Sequence, residues 1–195
     1  MADSRTSASE VWILDFDANR FAGLLCVNEQ DLDLLADAFR GEPLGPEWRP
    51  IDMYWETDGD TRPRSDFSTI VGGGLVLNER AKEALSDLLE GRGELLPLRV
   101  RDDGDHYVFN VTRLSEALNQ GRSELAFFRS GRIMDVDRYE FHSSKLSADA
   151  IFKLPQIPEM YTFVTDAFRE RVDQEGLTGF IFDRQVWTEA SAART

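Results

Sequence analysis

The chain is poor in cysteine, histidine and long apolar runs, and each scarcity excludes a class of structure or site. Cys26 is the only cysteine among 195 residues, so an internal disulfide and a structural zinc site built on several cysteines are both excluded. His106 and His142 are the only histidines, and they do not form the H-x-x-x-H pair of a helical metal site. Because Cys26 lies in an apolar run, we expect it to be buried as a small hydrophobic residue.

Long apolar segments are also missing. No run of about 18 apolar residues occurs, so we expect no transmembrane helix. The start of the chain, MADSRTSASE, lacks the apolar core of a signal peptide. These two features predict a cytoplasmic protein.

The common motifs of nucleotide binding, metal binding and catalysis are absent as well. The stretch VGGGL at 71–75 lacks the lysine and hydroxyl of a phosphate-binding loop and the spacing of a dinucleotide fingerprint. Its glycines predict a close backbone approach or a turn into the next helix. The acidic run from Glu56 to Asp66 does not fit the ligand spacing of an EF-hand. No G-x-S-x-G is present. We therefore predict no cofactor, no metal and no enzymatic activity, although a catalytic site assembled from distant residues stays open.

Positive charge is scarce. The chain has 22 Lys and Arg against 36 Asp and Glu, which gives a formal net charge of -14. Such an acidic surface argues against binding to nucleic acid or to an anionic membrane through a basic patch. It favours a cationic partner, or serves solubility alone.

Two acidic segments and one tryptophan are candidates for binding that partner. The acidic residues lie in a turn-rich segment at 56–66 and in the RDDGD turn at 101–105. The tryptophan lies in a proline-bounded loop at 42–50, and tryptophan is enriched at interface hot spots. The candidate partner-binding residues are Trp48, Glu56, Asp58, Asp60, Asp102, Asp103 and Asp105.

Hydrophobic periodicity predicts one α+β domain over 10–188, with flexible tails at 1–9 and 189–195. Successive strands without intervening helices favour a mixed, mostly antiparallel sheet with about three to four helices packed on it. The RDDGD turn predicts a hairpin in which the glycine takes a positive φ. Helices are predicted at 28–41, 78–91, 112–118 and 165–175. Strands are predicted at 10–16, 51–55, 95–100, 106–111, 123–128, 133–141, 150–155 and 180–187.

Two glycines near the end of the chain predict a helix end followed by a strand. Gly176 fits the position after a helix where a left-handed conformation costs little. Gly179 then allows the chain to turn into the strand at 180–187. A phosphate-binding loop would instead lead from a strand into a helix, so this segment predicts architecture and not nucleotide binding.

Several segments, taken in order, carry a family resemblance. GGGLVLNERAKEALSDLL, LLPLRV, YVFNVTRLSEAL, IFKLP and GLTGFIF together resemble a bacterial family of immunity proteins of polymorphic toxin systems, the eleventh such family, first described from a myxobacterium. The resemblance is strongest over 48–187. It implies a non-enzymatic cytoplasmic protein that binds and neutralises a cognate toxin. Within this resemblance Asn110 is expected to fix the turn after its strand, and Gly176 and Gly179 to shape a chain reversal.

Two alternatives to the immunity role stay open from the sequence. One is a regulatory or scaffold protein with a partner that is not a toxin. The other is an enzyme with a spatially assembled site, which predicts a deep pocket with perturbed titratable groups. Homo-oligomerisation through an edge strand is also open, because a sequence does not show which strands are edges.

Overall fold

A computed structural model describes residues 10–56, 62–146, 149–183 and 186–188, the last of these in backbone only. Three of the four predicted helices are confirmed. They are α1 (Glu29–Ala36), α2 (Glu79–Leu89) and α3 (Asp166–Glu175). The Asn78 side chain caps α2 by accepting a hydrogen bond from the Ala81 amide at 2.9 Å, as expected for an N-cap asparagine.

The helix predicted at 112–118 is wrong. The segment contains no helix: residues 116–117 form a turn, and Leu114 and Leu118 form isolated bridges to Lys153 and Phe141. The Ser115 amide donates to the Lys153 carbonyl, and the Lys153 amide donates to the Arg113 carbonyl, both at 2.9 Å. These long-range hydrogen bonds replace the local ones that a helix would make, so tertiary pairing overrides local propensity.

Most of the described chain is strand. The strands, in chain order, are β1 (Val11–Phe16), β2 (Leu24–Cys26), β3 (Ile51–Trp55), β4 (Phe67–Ile70), β5 (Gly74–Asn78), β6 (Gly93–Val100), β7 (His106–Val111), β8 (Glu124–Phe127), β9 (Ile133–Phe141), β10 (Ile151–Phe152), β11 (Thr162–Thr165), β12 (Phe180–Asp183) and β13 (Val186–Thr188). The sequence did not predict β2, β4, β5 and β11, which are only three to five residues long.

Within the described ranges the strands form three sheets, with orders β2-β3-β6-β7-β5-β4, β10-β11-β1-β12 and β13-β9-β8. The β3–β6 and β9–β13 pairs are parallel, and the other strand pairs are antiparallel. The predicted α+β class with mixed, mostly antiparallel pairing is confirmed. The predicted closing strand at 180–187 is instead two strands, since β12 pairs with β1 and β13 pairs with β9.

The largest sheet is buried on both faces at its centre. On β5, Leu75 and Leu77 belong to the core beneath α2 and α3, whereas Val76 belongs to the core beneath α1. Phe109 and Val108 on β7 divide between the same two cores. Alternate side chains of a strand point to opposite faces, so a strand covered on both sides is apolar at nearly every position.

Two local features place the loops around this sheet. The expected close approach at 71–75 is found at Gly72, where a Cβ would lie 2.0 Å from the Leu35 carbonyl oxygen of α1. The β6–β7 hairpin is confirmed, but its positive φ of 56° belongs to Asp102 and not to a glycine. A short polar side chain such as that of Asp102 tolerates the left-handed region better than most residues. In this hairpin Asp102, and not Gly104, therefore takes the left-handed conformation.

Candidate functional site

The turn between β6 and β7 separates its three predicted acidic residues into different roles. The Asp103 side chain is 26% exposed and is turned toward Trp55: its Oδ2 accepts a hydrogen bond from Trp55 Nε1 at 2.6 Å and lies 3.2 Å from Arg64 Nη1. Its Oδ1 accepts from the Gly104 amide at 2.9 Å. Burial acts to raise the pKa of Asp103, but these hydrogen bonds and the charges of His106 and Arg64 outweigh it and hold the pKa below the ordinary value.

The other predicted acidic residues differ in how much they face solvent. Asp102 and Asp105 are exposed, so their charges act at the surface. Glu56 lies 3.4 Å from Arg62 in an ion pair, measured from Oε2 to Nη2. Asp58 and Asp60 lie outside the described residues. The structure therefore leaves Asp102 and Asp105, an exposed pair that we call the acidic turn, as the available anionic groups of the hairpin.

Trp48 lies in the loop between α1 and β3. Its ring is half-buried with its centroid 6.3 Å from that of Phe39, and its Nε1 donates to the Pro97 carbonyl at 3.0 Å. An indole held by a hydrogen bond and a ring contact is rigid. One edge of Trp48 is left toward solvent.

Glu94 holds the loop that carries Trp48. Its carboxylate accepts hydrogen bonds from the Leu44 amide at 2.5 Å and the Gly45 amide at 3.0 Å. Asn110, which is fully buried, donates its amide to Glu94 at 2.9 Å and to the Glu42 carbonyl at 2.8 Å. The Asn110 amide therefore fixes this loop, and not the turn after its own strand as the family resemblance implied.

A polar cleft of about 320 Å³ lies beside the acidic turn, and Asp66 is its most connected residue. Asp66 Oδ2 accepts from Arg80 Nη1 at 2.8 Å and from both the amide and the hydroxyl of Thr178, at 2.9 and 2.8 Å. Its Oδ1 accepts from Asn78 Nδ2 at 3.0 Å. Burial opposes the charged form, but these hydrogen bonds and the Arg80 charge outweigh it, and the pKa of Asp66 lies below its ordinary value.

The Asp66 and Asp103 carboxylates of the cleft are thus occupied by neighbouring groups of the protein. His106 places Nδ1 2.9 Å from the Gly104 carbonyl, and its ring lies edge-on to Trp55. A general acid at neutral pH needs a raised carboxyl pKa, whereas the pKa values of Asp66 and Asp103 are lowered. At neutral pH these carboxylates accept hydrogen bonds and hold loops together.

Metal and thiol chemistry have little basis in the described part of the chain. No group of three or more His, Cys, Asp or Glu there is placed to hold a metal ion. The expected burial of Cys26 is only partial. Its Sγ lies 3.6 Å from Met53 Sδ, and burial followed by the Asp31 charge raises the pKa of the thiol, which disfavours the reactive thiolate. Among the helices of the described ranges, none has the length and apolar character needed to cross a membrane.

A further surface feature was not identified from the sequence. The β8–β9 hairpin ends in exposed Phe127, Phe128, Arg129, Arg132 and Met134, which we call the hairpin tip. The signal was available in the sequence as adjacent phenylalanines in SELAFF. Because consecutive side chains of a strand point to opposite faces, both rings cannot enter a core on one side.

A family model described as "Immunity protein family (Imm11)" matches residues 14–186. The chain belongs to this immunity protein family. The match confirms the resemblance seen over 48–187 and extends it toward the N-terminus to include α1 and β2. A comparison with curated proteins finds no match. In this member of the immunity protein family, the matched range contains the acidic turn, the polar cleft and the hairpin tip.

Proposed function

We propose that this protein neutralises a cognate toxin by binding it, as a cytoplasmic immunity protein that does not itself catalyse a reaction. Membership of the immunity protein family across residues 14–186 carries this proposal. The role requires a stable protein–protein interface, and the chain offers exposed charged and apolar surfaces for one.

The charge of the chain supports a basic toxin as the partner. A net charge of -14 produces a field that attracts a cationic protein and speeds its association. Asp102 and Asp105 are exposed on a turn anchored from below by the inward contacts of Asp103. Such a turn presents two carboxylates in a fixed position, which favours recognition of lysine or arginine on the partner. The same field disfavours nucleic acid as a partner.

A binding role also agrees better than catalysis with the polar cleft. The carboxylates of Asp66 and Asp103 are occupied by hydrogen bonds from neighbouring groups of the protein. Proton transfer to a substrate would require one of these groups to leave its structural partners. The cleft is therefore better explained as the junction that positions the acidic turn.

Co-expression with the product of each neighbouring gene tests the function. Rescue of growth from a toxic neighbour, together with co-purification of that neighbour, is the expected result. Growth arrest that this protein does not relieve for any toxic neighbour would contradict the proposal.

The electrostatic part is tested on the purified pair. Asp102→Asn with Asp105→Asn should slow association and reduce its dependence on salt. The matched control, Glu170→Gln with Asp173→Asn, removes the same charge from exposed positions of α3. Equal association rates for the two double variants would show that the acidic turn is not part of the interface. This result would not contradict the immunity role.

A further inference from the structure

The hairpin tip concentrates exposed apolar surface at one turn. Phe127, Phe128 and Met134 are 55%, 43% and 47% exposed. The Phe128 amide donates to the Arg132 carbonyl and the Gly131 amide donates to the Phe128 carbonyl, both at 2.9 Å. These hydrogen bonds close the turn, so the rings are displayed by an ordered structure. Contiguous exposed apolar groups in a soluble protein mark interaction sites.

The tip also carries positive charge from two exposed arginines. Arg129 and Arg132 are exposed and form no ion pair with any residue that the structure describes. By contrast, Arg122 and Arg138 on the same hairpin pair with Glu140 and Glu124, at 2.7 and 3.2 Å. The guanidinium of Arg132 lies 5.2 Å from the centre of the Phe128 ring, which leaves its N–H groups for another acceptor.

A second copy of the chain is a poor occupant for this surface. A two-fold axis passing through the tip would place the cationic tips of both copies together, and their like charges would repel. Pairing through the free edge of β8 is also disfavoured, because β8 is only four residues long. So short an edge strand offers little backbone for the addition of another strand.

We propose that the hairpin tip inserts into an apolar pocket rimmed by carboxylates on the partner protein. This inference rests on the proposed toxin-binding function and specifies one part of its interface. Phenylalanine, methionine and arginine are enriched at interface cores, and arginine forms bidentate hydrogen bonds with carboxylates. The acidic turn then contacts a cationic region of the partner, and the hairpin tip contacts an anionic region of the same partner. These two contacts together fix the orientation of the partner.

The test uses the full-length protein and a catalytically inactive form of the toxin encoded beside its gene. Phe127→Ser with Phe128→Ser and, separately, Arg129→Glu with Arg132→Glu should each weaken binding at least about tenfold, mainly through faster dissociation. Two controls match these changes elsewhere on the surface. They are Leu25→Ser with Leu34→Ser at exposed apolar positions, and Arg20→Glu with Arg40→Glu at exposed cationic positions. Melting temperatures within about a degree of wild type show that the variants are folded.

A photo-crosslinking amino acid at position 128, compared with one at position 34, gives an independent readout in cells. A covalent adduct with the toxin from position 128 supports the proposal. If the toxin is captured only from position 34 and growth is still rescued, the proposal that the hairpin tip contacts the toxin is overturned, whereas the immunity function is retained. An adduct of two copies of this chain overturns the tip as a toxin contact. The absence of adducts together with the absence of growth rescue overturns both.

Nucleic acid is the other class of ligand that a turn rich in aromatic and arginine side chains suggests. The net charge of -14 opposes it. A fluorescent single-stranded oligonucleotide is expected to show no binding at 150 mM salt. Binding that is lost in the Arg129→Glu, Arg132→Glu variant would overturn the proposed protein partner.

Discussion

Thr178 donates both its hydroxyl and its backbone amide to one oxygen of Asp66, at 2.8 and 2.9 Å. The Asp66 amide donates back to Thr178 Oγ1 at 3.1 Å. The two residues are 112 positions apart, and Asp66 also binds Asn78 and Arg80 at the start of α2. This reciprocal pair joins the beginning of β4, the N-terminus of α2 and the segment that follows α3.

Asp66→Asn should therefore lower the free energy of unfolding by roughly 2–4 kcal/mol, because an amide group would face donors that now bind a carboxylate. Chemical denaturation at pH 7 measures the change, with exposed Glu83→Gln on α2 as the control. The folded-state pKa is depressed, so the stabilisation is present above the unfolded value of 3.8 and is lost as the pH falls through the folded pKa. A difference from wild type that stays constant into acid would contradict this account.

Gly176 and Gly179 should respond differently to alanine. Both have positive φ, at 59° and 94°. A Cβ at 176 would meet only Arg80 Nη2 at 4.0 Å, whereas a Cβ at 179 would lie 2.3 Å from the Phe67 carbonyl oxygen. Gly176→Ala should cost about 1 kcal/mol from backbone strain. Gly179→Ala should cost at least twice as much, since the clash adds to the strain. Equal losses in thermal denaturation would show that the clash relaxes freely.

Lys153 should make stability depend on alkaline pH. The side chain is 2% exposed, its Nζ donates to the Pro158 carbonyl at 2.9 Å, and burial lowers its pKa to about 8. Below pH 8 the folded protein carries the cost of a buried cation. As the pH rises from 8 toward the ordinary value of 10.5, the unfolded chain binds more protons, so wild type gains stability.

Lys153→Met removes that dependence. At pH 7 the variant should be more stable by roughly 1–3 kcal/mol, and its advantage should shrink between pH 8 and 9.5. Denaturation midpoints across this range, with exposed Lys145→Met as the control, provide the measurement. A less stable variant at pH 7 would mean that the hydrogen bond to Pro158 outweighs desolvation of the amine.

Glu94→Ala should loosen the loop that carries Trp48. The substitution leaves the Leu44 and Gly45 amides without their acceptor and removes one partner of buried Asn110, at a cost of about 1–3 kcal/mol. Hydrogen exchange should become faster at 44–48 and stay unchanged in β9. Exposed Glu90→Ala, near the end of α2, is the control. Unaltered protection at 44–48 would show that Trp48 and its ring contact hold the loop alone.

Asp103→Asn and Asp105→Asn should differ in their effect on stability, because Asp103 bonds to neighbouring groups of the fold and Asp105 is an exposed surface charge. Asp103→Asn weakens the contacts with Trp55 and Arg64 and should cost about 1–3 kcal/mol. Asp105→Asn at an exposed position should stay within about 0.5 kcal/mol of wild type. Melting temperature reports both effects. Similar melting temperatures would mean that Asp103 contributes as a surface charge only.

Several features of the fold could be predicted because their causes are local. The cap at Asn78, the apolar stripe of α2 and the left-handed Gly176 depend on residues within one or two helical turns. The β6–β7 hairpin follows from a short turn between two apolar runs. The non-helical structure at 112–118 could not be predicted, because its hydrogen bonds are made to residues such as Lys153, far along the chain.

The sequence by itself determined the acidic charge, the single cysteine, the main helices and the family to which the chain belongs. Only the tertiary structure decided which acidic residues face solvent. Asp103 is turned toward Trp55, while Asp102 and Asp105 stay exposed. Likewise, Phe127 and Phe128 are apolar residues like any others in the sequence, and only the position of β8 at a sheet edge leaves them uncovered. Burial and long-range hydrogen bonding depend on what the rest of the chain brings to each residue, and a local pattern does not contain that information.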